Sequence, residues 1–145
     1  MFLDYSQFHY NLGMMLYSIC KKKDCVEKSI FLIASQINHG KHIVLRNDEL
    51  LVTEVVDLNM IAGKKALDRC DHKTAYSYLS VALSMLPEGH WERDDTSLRL
   101  NFLLASAAYS SNKYDEAELV LQRIFVRARC IEDKLPSYFL FTTSK

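Results

Sequence analysis

Two glycine–lysine pairs are the first places in this chain to look for phosphate chemistry. A GxxxxGK cradle followed by Ser or Thr needs both glycines so that backbone amides can close on the phosphates, and the hydroxyl to hold magnesium. Gly40-Lys41 is followed by His42, with Ser35 where the first glycine should stand. Gly63-Lys64 is followed by Lys65, with Leu58 in that place. Both lack the amide cradle and the hydroxyl. Cys20 and Cys25, with His39 and His42, carry metal-ligating atoms. Cys-x4-Cys and His-x2-His match zinc spacing only loosely, and three lysines stand between the thiols. They read as two turn histidines and two unrelated cysteines. Cys70 and His72 are the nearest thiol–imidazole pairing, on a turn with no evident oxyanion hole. HExxH and GxSxG motifs are absent. No catalytic, cofactor-binding or metal-binding residue is assigned, and the chain reads as a non-enzyme.

Residues suited to recognition are better placed. Asn59 and Asn101 stand four residues before Gly63 and Ala105, at equivalent offsets, as a polar clamp for a peptide would require. Tyr76, Tyr78, Tyr109 and Tyr114 fall near turns, where exposed aromatics enrich partner surfaces and buried ones pack with the hydroxyl at the rim. Lys64, Lys65, Arg69 and Lys73 form a basic strip around the central turn. Asn59, Asn101, Tyr76 and Lys73 are therefore the candidate partner-binding residues. Lys21-Lys22-Lys23 reads as a solvated loop. The 18 basic and 18 acidic residues balance, which argues against a general nucleic-acid or membrane surface.

The elements that must position these side chains are helical. Four glycines and two prolines in 145 residues leave little material for the turns of an all-β fold, while 49% hydrophobic content supports a folded core. Phe8, Leu12, Met15, Leu16 and Ile19 recur at helical spacing, then Val26, Ile30, Ile33, Ala34 and Ile37 do so before a turn at Asn38-His39-Gly40. Asn47 or Asp48 can cap a third helix striped by Leu51, Val55, Leu58, Ala62 and Ala66. A fourth carries Ala75, Tyr78, Leu79, Ala82 and Leu86 and stops at Pro87. Asp94 to Ser97 start a fifth, built from Leu98, Asn101, Phe102, Ala105, Ala108 and Tyr109. The sixth runs from Tyr114 to about Cys130, with Ala117, Val120, Leu121, Ile124 and Ala128 inward.

Gly63, Ala66, Ala75, Leu79, Ala82 and Pro87 fall at the offsets of tetratricopeptide-type helix pairs. Gly63 and Ala75 let two helices approach closely, and Leu79 fills the groove between them. Ala105, Ala117 and Leu121 repeat Gly63, Ala75 and Leu79 after an offset of 42 residues, and Gly13 can start a more divergent first pair. The expected fold is all-α: antiparallel pairs over 6–40, 47–87 and 94–130, stacked as a short tetratricopeptide-like α-solenoid in one domain spanning 1–145. Residues 131–145, with Leu135-Pro136-Ser137-Tyr138-Phe139-Leu140-Phe141, look like a further helix cut short, which predicts a fragment of a larger protein.

The run Asp57-Leu58-Asn59-Met60-Ile61-Ala62-Gly63-Lys64-Lys65-Ala66 resembles the "LN..AG.KA" signature of the helical region after an AAA-type ATPase module in multidomain signalling proteins. Ala75 to Leu79, Leu86-Pro87, Trp91-Glu92, Ala105 to Tyr109 and Tyr114 to Glu118 continue the likeness, as do His9 to Gly13 and Ile37 to Gly40 upstream. Such proteins join protein-kinase-like, ATPase, GAF and histidine-kinase domains; no ATPase, kinase or phosphoacceptor module is read in this sequence. The resemblance implies a non-catalytic scaffold or interaction module that engages a protein partner or neighbouring domains of a parent chain. The alternative is a free-standing adaptor that binds a peptide. No cofactor, nucleic acid or membrane is expected. Without a basic, apolar leader at the N-terminus, the four cysteines read as reduced thiols of a cytoplasmic protein.

Overall fold

The computed structural model describes residues 4–87 and 95–127, together with 132, 134, 136, 137, 140 and 142. Among these the chain is all-helical, with seven helices packed in pairs. They are α1 (Tyr5–Lys22), α2 (Ile30–His39), α3 (Lys41–Val44), α4 (Glu49–Asp68), α5 (His72–Met85), α6 (Thr96–Ser110) and α7 (Tyr114–Arg127). A 3-10 turn, Glu27–Ser29, leads into α2. The helices form the pairs α1–α2, α4–α5 and α6–α7, with α1 starting one residue before the first expected interval. The short helix α3 was not foreseen.

Local chemistry sets the boundaries. Asp4, Asp48 and Asp71 cap α1, α4 and α5, each accepting a first-turn amide: Ser6 N at 3.1 Å, Leu51 N at 2.9 Å and Thr74 N at 3.2 Å. Of the two residues expected to cap α4, Asp48 does so. The Asn47 amide instead donates back to Ile43 O at 3.0 Å. The first helix of every pair ends in the same way. Asp24, Cys70 and Asn112 are the non-glycine residues with positive φ among those described, at 51°, 58° and 61°. In each case the next residue donates backward to the first helix: Cys25 N to Cys20 O, Asp71 N to Ala66 O and Lys113 N to Ala108 O, all at 2.9 Å. This is a Schellman ending, and it turns the chain antiparallel within a few residues. Cys70 and Asn112 lie 42 residues apart, the offset read from the packing positions.

Two glycines set the helix spacing. A Cβ on Gly63 would lie 2.5 Å from Leu79 Cγ, and one on Gly13 would lie 2.6 Å from Ile37 Cγ1. Gly63 brings α5 against α4, as its spacing predicts, and Gly13 does the same for α1 and α2. The core is continuous: Ile30, Ile33, Ile37, Val55, Leu79, Leu100 and Ile124 are fully buried, with alanines 34, 62, 66, 75, 82, 105 and 107 at close contacts. Contacts run α1–α2, α2–α4, α4–α5, α5–α6 and α6–α7, with α4 also touching α6.

The first helix departs from its apolar pattern. Only Gly13 and Cys20 of α1 are buried, whereas Phe8, Met15 and Ile19 are exposed. In the expected truncated segment, the described residues are helical, with Ser137 buried and Leu140 packed on the core. Trp91, Asp94, Ala128 and Cys130 lie outside the described residues.

Candidate functional site

Asn59 and Asn101 are completely buried and are not open to a partner. Both sit on the first helix of a pair, and Asn59 faces the preceding pair through Asn38. Asn59 Nδ2 donates to Val55 O at 2.9 Å and to Asn38 Oδ1 at 3.0 Å, while Asn59 Oδ1 accepts from Asn38 Nδ2 at 2.7 Å. Asn101 Nδ2 makes the equivalent bond to Ser97 O at 2.8 Å, and its Oδ1 has no partner among the described residues. An asparagine clamp on an exposed face does not exist in this arrangement.

Tyr76 and Lys73 lie on α5, and Tyr76 borders a concave surface. A groove of about 260 Å³ runs between α5 and α7, with α6 supplying Leu104. Leu83, Leu119 and Val120 make its apolar wall, and Ser80, Ser84 and Arg123 its polar positions. One end is closed by Tyr76, whose hydroxyl donates to Glu116 and whose ring carries Lys113 Nζ at 4.7 Å from its centre. Lys113 also pairs with Glu116 at 3.5 Å. Near the other end Lys41 Nζ reaches Ser84 Oγ at 2.6 Å. Glu116 is thus occupied, whereas Arg123 has no ionic partner among the described residues. Lys73 is exposed one turn before Tyr76 and is not part of the groove wall.

The other sequence candidates serve packing between elements. Tyr78 is half-buried beside Phe31, with ring centres 5.8 Å apart, and its hydroxyl donates to Phe31 O at 3.2 Å. Burial pushes its phenol above the usual range. Arg69 and Lys65 of the basic strip lie over Phe31 at 5.4 and 5.9 Å, and Lys65 also donates to Glu27 O. Tyr114 meets Tyr109 edge-on at 5.4 Å. His39 stacks on His9 at 4.6 Å, one end of α1, while Cys20 lies near the other. The Cys–His set is therefore not brought together, and the described residues hold no cluster of three potential metal ligands.

Arg123, Leu119, Leu104 and Glu116 were not singled out from sequence. Leu119 carried a usable signal, because it is an apolar residue off the inward stripe of α7. The groove itself needs α5, α6 and α7 together. No helix among the described residues is long and apolar enough to cross a membrane. No protein-family model matches the chain, and no curated protein or solved structure does so either.

Proposed function

We propose that this chain is a non-catalytic helical-repeat module that holds a protein segment in the α5–α7 groove. The observation that supports it is the combination of Leu83, Leu104, Leu119 and Val120 with Arg123, a cation beside an apolar trough with no ionic partner among the described residues. Such a trough takes an extended or helical segment whose apolar side chains enter it and whose carboxylate meets the guanidinium. The repeated helix endings at Asp24, Cys70 and Asn112, and the contact of α4 with α6, support stacking of the pairs as a short tetratricopeptide-like solenoid.

The Asp57–Ala66 run extends the reading to the neighbourhood of the groove. Its likeness to the region after an AAA-type ATPase module supports a cytoplasmic scaffold whose partner is a neighbouring signalling domain. The free-standing adaptor differs only in where the bound segment comes from. Its asparagine clamp has no support, since both asparagines are buried.

Selection of peptides from a displayed random library tests the groove. Peptides pairing apolar and acidic residues are expected, with binding weakened about tenfold or more by Arg123→Glu and by Leu119→Arg. Both changes are at the groove rim and leave the core intact. Selected peptides that bind both variants as well as the unaltered protein would place recognition elsewhere.

A further inference from the structure

The outer face of α1 carries an apolar row that stays exposed among the described residues. Tyr5, Phe8, Met15 and Ile19 are 70%, 58%, 54% and 44% exposed, with half-buried Leu12 between them. Their spacing is 3, 4, 3 and 4 residues, the a/d repeat of a helix that pairs along its length with another helix. A core-facing stripe of a globular helix is not required here. That role belongs to Gly13 and Cys20, with Tyr10, Met14 and Tyr17, on the opposite side. The row extends about 21 Å along the axis.

The rest of the helix fits an interface rather than a solvated surface. From Tyr5 to Cys20 there is no Asp, Glu, Lys or Arg. Between the apolar residues the exposed positions are Gln7, Asn11 and Ser18, and Gln7 Nε2 donates to Asn11 Oδ1 at 2.8 Å. The outer positions of α7 are different, with Asp115, Glu116, Glu118 and Arg123. A surface poor in charge and rich in aromatic residues and methionine marks the centre of protein interfaces.

Charge at the two ends of α1 selects the occupant. Asp4 stands at the N-terminal end and Lys22 and Lys23 at the C-terminal end, where Lys21 is paired with Glu54 at 3.4 Å. A parallel copy would set lysines against lysines. An antiparallel copy sets each Asp4 level with the other copy's lysines, and the opposed helix dipoles add to the attraction. The same alignment places Phe8 opposite Ile19 and Leu12 opposite Met15 of the second chain. We propose that the outer face of α1 is the interface of an antiparallel two-fold dimer of this chain. This follows from α1 alone and does not depend on the α5–α7 groove.

Sedimentation equilibrium of the full chain over a concentration series tests it. A reversible monomer–dimer equilibrium is expected. Phe8→Glu and Met15→Glu should each weaken it at least about a hundredfold, because the two-fold axis places every change at the interface twice. Both residues are exposed in the monomer, so helical circular dichroism and the unfolding midpoint of the diluted protein should stay unchanged. Val126→Glu, at an exposed residue of α7, and Arg123→Glu should leave dimerisation intact. A photo-crosslinking residue at Ile19, in mixed isotope-labelled and unlabelled copies, should attach near Phe8 of the other copy. A chain that stays monomeric at high concentration, or a dimer that survives Phe8→Glu with Met15→Glu, would overturn the proposal. So would attachment of Ile19 to Ile19, or flotation of a monomer with phospholipid vesicles that Phe8→Glu abolishes.

Discussion

Asn38 and Asn59 exchange two amide hydrogen bonds, at 2.7 and 3.0 Å, across the boundary between the first and second helix pairs. The second donor bond of Asn59, to Val55 O, fixes which way its amide points. Its counterpart Asn101 keeps the bond to Ser97 O and leaves Oδ1 without a partner among the described residues. Truncation should therefore affect the two unequally. Asn59→Ala is expected to cost about 2–4 kcal/mol, because it removes three bonds and strands the Asn38 amide. Asn101→Ala should cost about 1 kcal/mol or less, since it also removes an unsatisfied buried acceptor. Urea unfolding midpoints of the two variants decide this, and equal losses would contradict it.

Gly63 and Leu79 make a second pairing with a clear sign. Alanine favours a helix over glycine by about 1 kcal/mol, so Gly63→Ala would stabilise an isolated α4. In the folded chain the added methyl meets the branch point of Leu79 at 2.5 Å. Leu79 is completely buried and cannot swing away. Overpacking of this kind costs about 1–3 kcal/mol, and a net loss of stability is expected. Combining Gly63→Ala with Leu79→Ala should cost less than the two separate changes together, which a double-mutant cycle by thermal unfolding measures.

These relationships were unequally legible in the sequence. Gly63, Leu79, Ala105 and Ala117 revealed the pairing because close helix contacts restrict residue size at fixed offsets. The apolar pattern of α1 revealed its helical period but not its orientation, since Gly13 and Cys20 form a weaker hydrophobic signal than Phe8, Met15 and Ile19. The equal offsets of Asn59 and Asn101 reported a shared structural position. Whether that position faced solvent depended on how closely the preceding pair packed. The groove at Leu119 and Arg123 is assembled from three helices, and no local spacing encodes such a meeting.

Cys70 offers a stability gain at the end of α4. Its φ of 58° is costly for a residue with a Cβ and little local compensation, whereas asparagine at Asn112 tolerates the same region well. Cys70→Gly relieves about 1–2 kcal/mol of backbone strain and gives back part of it through the greater freedom of glycine in the unfolded chain. A net stabilisation of up to about 1 kcal/mol is expected. Asn112→Gly should change the unfolding midpoint much less. The reverse order would show that the left-handed geometry is not what limits stability at these turns.

Asp71 adds a pH dependence at the adjoining start of α5. Its carboxylate accepts from Thr74, which holds its pKa below the usual value of 3.8. A carboxyl whose folded pKa is depressed contributes stability above its unfolded value, and that contribution is lost as pH falls through the folded one. The Asp71 contribution should therefore be complete near neutrality and decline below about pH 4. Asp71→Asn keeps an acceptor at the cap without the charge. Its unfolding midpoint is expected to converge on that of the unaltered protein in acid, and a constant gap between them from neutral to acid pH would exclude the cap as the cause.

The cysteines should differ in reactivity for reasons set by the same helix endings. Cys20 and Cys25 stand at the two ends of the Schellman bond of α1, where Cys25 N donates to Cys20 O. The neighbouring Cys20 thiol raises the pKa of Cys25, and burial acts in the same direction, against the smaller opposing effects of Lys23 and Lys28. Less of Cys25 is then thiolate at neutral pH, and alkylation requires the thiolate. Cys70 is exposed and Cys20 is buried. Iodoacetamide followed by peptide mass spectrometry should modify Cys70 first, Cys25 more slowly and Cys20 last. Cys20→Ala removes the largest cause of the raised pKa, so Cys25 should react faster in that variant at pH 7, with the difference shrinking in alkaline buffer. An unchanged Cys25 rate would mean that the neighbouring thiol does not control it.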